Sequence, residues 1–220
     1  VVSIEDEQGR EIKQESVGSG VIITSAGQVI TNHHVAGRAK RIVCTFANKE
    51  ELPAELVGTD PLADISVIKL LSKEKREFPF VQFGNADELK AGDYVLAMGS
   101  PMAFSQSVTM GIVSNTKLVI PELFWPYNKI TSEGEDVGSI VLWIGHDAPI
   151  YGGNSGGPLV NLKGEVVGIN EINLGIGGAI PANLAQKIAR ELIKSGKVTR
   201  SWLGLEFQPL LKHSRRSQGI

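Results

Sequence analysis

Apolar residues along this chain recur in short runs bounded by glycine, proline or polar clusters, a pattern of strands more than of helices. Val21-Ile22-Ile23-Thr24, the turn Ser25-Ala26-Gly27 and Gln28-Val29-Ile30-Thr31 together predict a β-hairpin. Further strands are predicted over 41–46, 51–59 and 65–70, with Pro53 confining its strand to an edge or a bulge. Residues 84–91 read as a loop with one helical turn and divide two all-β halves. Beyond them the strand pattern resumes over 94–98, 107–116, 139–144, 158–161, 165–169 and 175–180, with Lys163-Gly164 as a hairpin turn. Short strands at such even spacing suggest a sandwich or a barrel.

One helix is predicted after these strands, because Leu184, Ile188, Leu192 and Ile193 fall on one face. Asn183 is its expected N-cap, Lys194 suits its negative end and Gly196 its C-terminal cap. The expected organisation is an arm or edge strand over 1–16 with a turn at Gln8-Gly9, β halves over 17–84 and 92–182, and a closing helix over 183–195. Residues 201–220 then leave the domain: Leu205, Phe207 and Leu210 look like a strand entering another unit, and 212–216 form a basic tail. An insertion from Lys117 to Gly138 carries Phe124, Trp125 and Tyr127, which suit either a functional loop or a satellite cluster that holds the loop down.

Composition narrows the class. With 220 residues, 42% of them hydrophobic and 21% charged, the chain can bury a real core and is neither disordered nor membrane-like. A net charge of −2 argues against a dedicated nucleic-acid binder, since Lys73, Lys75 and Arg76 are interrupted by Glu74 and Glu77. The single cysteine, Cys44, excludes an intrachain disulfide and lies in a strand pattern, so it reads as a small core or interface residue. No apolar run approaches the roughly 18 residues of a membrane-spanning helix. Starting at Val1 without a signal-peptide pattern, the chain is expected to be a mature or trimmed fragment.

Candidate chemistry centres on Gly152-Gly153-Asn154-Ser155-Gly156-Gly157-Pro158-Leu159, where one serine stands among glycines whose N–H groups are free to face a ligand. Alone, this reads equally as a surface turn. Of the histidines, His213 is in the tail and His146 is close in sequence to the serine. His33 and His34 end a predicted strand, the better seat for a general base. Asp64 precedes a strongly apolar strand, where an unpaired charge is costly, whereas Asp60 and Asp147 read as turn residues. Gly153 to Gly157 also fits a Gly-x-Ser-x-Gly nucleophile elbow, but no aspartate follows Ser155 and a hairpin, not a helix, comes next. The order His34, Asp64, Ser155 is that of the chymotrypsin arrangement. The fold class expected is therefore all-β, two six-stranded chymotrypsin-like β-barrels with a C-terminal helix.

Thr31-Asn32-His33-His34-Val35, Asp60 to Lys69, Gly99-Ser100-Pro101, Gly111-Ile112-Val113-Ser114, Gly153 to Leu159 and Gly178-Ala179-Ile180-Pro181 resemble the HtrA/Deg serine proteases over about residues 17–205. The resemblance implies a serine endopeptidase of protein quality control, acting on unfolded polypeptides in the periplasm or another extracytoplasmic compartment. It also implies a homotrimer and a following PDZ domain, whose entry Trp202-Leu203-Gly204-Leu205 resembles. His34, Asp64 and Ser155 are the expected catalytic residues, and Gly153, Asn154 and Ser155 the expected oxyanion hole. Ile150, Asn170, Glu171 and Ile172 are expected to bind substrate. Pro149, six residues before Ser155, replaces the acidic residue of trypsin-type enzymes, so cleavage after small or medium aliphatic residues is expected. No cofactor, metal, nucleic acid or membrane span is expected. The alternative is a latent protease-fold chaperone or peptide-binding module. The 117–138 insertion is longer, and the 171–175 loop shorter, than the family usually carries, and the arm lacks the aromatics through which relatives trimerise.

Overall fold

The run Ile65-Ser66-Val67-Ile68-Lys69-Leu70 is apolar at almost every position, which suits a strand covered on both faces. A computed structural model describes residues 2–5, 11–14, 17–100, 106–119, 130–132 and 135–201, and in it this run is the central strand β7 of an antiparallel sheet. Its companions are β3 (Val21–Ile22), β4 (Gln28–Thr31), β5 (Ile42–Thr45) and β6 (Glu51–Asp60), in the order β3-β4-β7-β6-β5. Ile30, Ile65 and Val67 face a core shared with the second half, while Val29, Ile68 and Leu70 pack with Ala36 and Phe78 on the opposite face. Cys44 and Phe46 join that second cluster, and burial pushes the Cys44 thiol up to about 11.

The second half comprises β8 (Tyr94–Gly99), β9 (Ser107–Leu118), β12 (Trp143–His146), β13 (Pro158–Asn161), β14 (Val166–Asn173) and β15 (Gly177–Pro181). These close a barrel in the order β12-β15-β14-β13-β8-β9, filled by Val95, Ala97, Val113, Ile144, Leu159, Val167 and Ala179. Within the insertion, β10 (Ile130–Ser132) pairs with β11 (Glu135–Val137). The helix over Ala182–Ser195, α2, buries Ala185, Ile188, Ala189 and Leu192 in the shared core and lies against β6, β7, β14 and β15.

The expectation of two six-stranded barrels is corrected: the second half is a closed six-stranded barrel, and the first is an open five-stranded sheet. In the arm, β1 (Val2–Glu5) pairs with β2 (Glu11–Gln14) and joins neither half. At one edge of the open sheet β3 is only two residues long, because the chain before it turns toward the second half, where Ser19 N donates to Ser155 O at 2.8 Å.

Smaller differences have local causes. The strand expected over 139–144 begins only at Trp143, since Gly138 N and Ile140 N donate to Pro61 O and Leu62 O and so anchor that stretch to the first half. Asn183 lies inside the first turn of α2 instead of capping it. Its side chain ties the helix to Asn85, Ala86 N and Asp87. Gly196 ends α2 as expected, at φ +72° with its N–H on Leu192 O. Phe124, Trp125, Tyr127, the Gln8-Gly9 turn, Trp202 to Leu205 and the basic tail lie outside the described residues.

Candidate active site

His34 lies in a single helical turn, α1 (His33–Ala36), directly after β4, and Asp64 follows a 3-10 turn over Pro61–Ala63 at the start of β7. Pairing of Thr31 with Ser66 brings the two ends together. Asp64 takes φ +49°, a left-handed conformation that costs about 1–2 kcal/mol for a residue with a Cβ. Contacts from residues 32–34 hold it there. His33 N and Asn32 Nδ2 donate to Asp64 O at 3.2 and 2.9 Å, and His34 N donates to Oδ1 at 3.0 Å. His34 Nδ1 lies 2.7 Å from Asp64 Oδ2. Because a carboxylate only accepts, this bond places the ring hydrogen on Nδ1 and leaves a lone pair on Nε2. Asp64 is fully buried, while the His34 side chain keeps 30% of its surface open to an incoming ligand. His33 instead bonds Thr59 Oγ1 at 2.8 Å through its own Nδ1.

Ser155 comes from the second half, on the loop before β13. The preceding residues form a turn in which Asn154 N donates to Tyr151 O at 3.0 Å and Gly153 has φ +104°. A positive φ at the third turn residue but not at the second, Gly152, marks type II and sets the central peptide opposite to its type I orientation, which favours glycine there. Among the described residues, neither Gly153 N nor Ser155 N donates to a protein acceptor. Asn154 N, grouped with them in the sequence reading, is occupied by the turn. Ser155 Oγ donates to Glu171 O at 3.1 Å and not to His34.

The four residues expected to bind substrate are placed differently from one another. Ile150 is buried in the barrel core, and Asn170 is fully buried with Nδ2 on Met98 O and Pro158 O. Ile172 packs on the shared core. Glu171 sits at a register shift between β14 and β15, a bulge that turns its side chain inward beside Asn170. Its carboxyl accepts from the Trp143 indole N–H. It is held well above the usual carboxylate range by burial first, then by the charge of Asp64.

Ser19 escaped the sequence reading. Its hydroxyl donates to Gly153 O at 2.7 Å and accepts from Ser100 N at 2.9 Å, so it pins the turn before Ser155. The available signal was Gly18-Ser19-Gly20, a small polar run where a strand could have started.

Residues 18–169 match the trypsin-like peptidase domain family. The chain is 41% identical over 219 residues to a probable periplasmic serine endoprotease, DegP-like, of Pseudomonas fulva, covering 96% of this chain and 42% of that protein. The chain belongs to the HtrA/Deg family of trypsin-like serine proteases. Among solved structures it resembles the HtrA-type protease AlgW with decapeptide, at 34% identity and a TM-score of 0.75, over 98% of this chain and 63% of that one. The serine endoprotease from Yersinia pestis is also 34% identical, with a TM-score of 0.70, over 90% of this chain and 65% of that one. The chain spans about two-fifths of the length of the curated HtrA/Deg relatives it matches.

Proposed function

We propose that this domain is a serine endopeptidase of protein quality control in which Ser155 is the nucleophile, His34 the general base and acid, and Asp64 the group that orients His34. The observation that carries the reading is the pair of unclaimed donors, Gly153 N and Ser155 N, beside a serine hydroxyl, with Gly153 at φ +104°. In the reaction Ser155 turns its Oγ from Glu171 O toward His34 Nε2, a step between staggered side-chain wells. Oγ attacks the substrate carbonyl while His34 takes its proton. The carbonyl oxygen becomes an oxyanion facing Gly153 N and Ser155 N, each donor being worth on the order of 10²–10³ in rate. His34, as imidazolium beside Asp64, then gives the proton to the leaving amine, and water attacks the acyl-enzyme by the same route in reverse.

The substrates proposed are unfolded or damaged polypeptides in an extracytoplasmic compartment, in keeping with the periplasmic relatives and with the peptide in the AlgW structure. Pro149 offers no charge to a basic side chain, which supports cleavage after small or medium aliphatic residues. A homotrimer remains the assembly proposed, with mass by light scattering as its check. Digestion of a peptide library by the wild type and by Ser155→Ala tests the central reading. Cleavage after aliphatic residues by the wild type alone is expected; cleavage mainly after Lys or Arg overturns the pocket assignment, and equal cleavage by both proteins overturns the nucleophile. The hydrogen bond from Ser155 Oγ to Glu171 O also suits a latent, peptide-holding form, which retained peptide binding without turnover would favour.

A further inference from the structure

Glu171 touches both halves of the site. Through its backbone it accepts the hydrogen bond of Ser155 Oγ at 3.1 Å, and through its buried side chain it reaches the carboxyl of Asp64. The side chain is closed in: Trp143 Nε1 donates to Oε2, and a Cβ at Gly138 would come within 2.5 Å of Oε1. Gly138, lacking that atom, leaves the room. As an ionised group Glu171 has no donor for Oε1, which is then a buried oxygen with no hydrogen-bond partner. With a proton it becomes a donor, and the fully buried Asp64 is the carboxyl that acts on it.

We infer that Glu171 is held as a neutral carboxylic acid that donates a hydrogen bond to Asp64, acting as a positioning residue that joins the acid of the reacting set to the strand facing its nucleophile. The inference rests on the assignment of His34, Asp64 and Ser155 above. Two facing carboxylates in a water-poor site cannot both ionise easily, and the raised proton affinity of Glu171 follows first from burial and then from Asp64, with the Trp143 indole opposing. Among the described residues Asp64 is the charged group that acts on it, and His34 stands one group further on, at Asp64 Oδ2. A neutral Glu171 leaves Asp64 as the single negative charge that steadies the imidazolium. The side chain expected from sequence to contact substrate is thereby turned to the rear of the site.

Glu171→Gln tests this, because a glutamine can accept from Trp143 and donate to Asp64 without a titrating proton. Peptide turnover by Glu171→Gln at neutral pH is expected to stay within about threefold of the wild type, whereas Glu171→Ala is expected to lose about tenfold or more in kcat with little change in KM. An infrared band of a protonated carboxyl C=O is expected in the wild type at neutral pH and absent from Glu171→Gln. Loss of activity in Glu171→Gln as deep as in Glu171→Ala, an effect confined to KM, or no such band in the wild type overturns the inference. The band is read without turnover. A wild type that fails to cleave peptides therefore counts against the protease reading alone, and the band still decides the state of Glu171.

Discussion

Ser19 stands far from Ser155 in the chain, yet its hydroxyl bridges Ser100 N and Gly153 O and so bears on the turn that precedes Ser155. Removing it by Ser19→Ala leaves buried Gly153 O without that donor, at about 1–3 kcal/mol, and half-buried Ser100 N without that acceptor, at less. The expected outcome is a loss of about tenfold in kcat/KM from a loosened turn, measured by peptide cleavage. Unchanged turnover would show that Ser19 does not steady Gly153. The difference between legible and illegible residues at this scale has a physical cause. His34, Asp64 and Ser155 could be picked out as candidates because their order along the chain is that of one architecture, and because a charge before an apolar strand calls for a partner. Ser19 and Glu171 carry no such mark: a hydroxyl between glycines and a carboxylate in an alternating strand become meaningful only when two distant loops meet.

At the level of elements, the strands that matched the sequence most closely are β4, β7 and β13, where apolar runs end at clear turns. The bulge at Glu171 and the late start of β12 were hidden, since both depend on which partner a strand finds. His146 on β12 carries the element-scale prediction. It is fully buried against Gly177, and neither ring nitrogen makes a hydrogen bond of proper geometry. Burial lowers its proton affinity, and the nearby Ala148 backbone and Asp147 charge only partly oppose this. With its folded pKa below the unfolded value of about 6.5, the unfolded chain binds more protons in that window, so stability falls as pH drops through it. In urea unfolding, the wild-type midpoint is expected to fall between about pH 7 and about pH 5, and that of His146→Leu to change less. Parallel pH dependence in both proteins would remove His146 as the cause.

For the molecule as a whole, the proposed site is built where two unlike halves meet. The open sheet supplies His34 and Asp64, the closed barrel supplies Ser155, and α2 packs across both. Gly138 N on Pro61 O and the Arg200 guanidinium on the Asp60 carboxylate bind later parts of the chain to the segment leading into Asp64. Two all-β halves could be read from strand spacing, but closure could not, because it depends on whether edge strands meet. The most direct test of the proposed site is the geometry of a covalent phosphonate adduct, seen crystallographically after reaction with a fluorophosphonate. Phosphorus is expected on Ser155 Oγ, with an oxygen about 2.7–3.1 Å from both Gly153 N and Ser155 N and His34 Nε2 facing the reaction centre. An adduct on another residue, or one on Ser155 whose oxygen meets neither N–H while Gly153 has turned to negative φ, would contradict it.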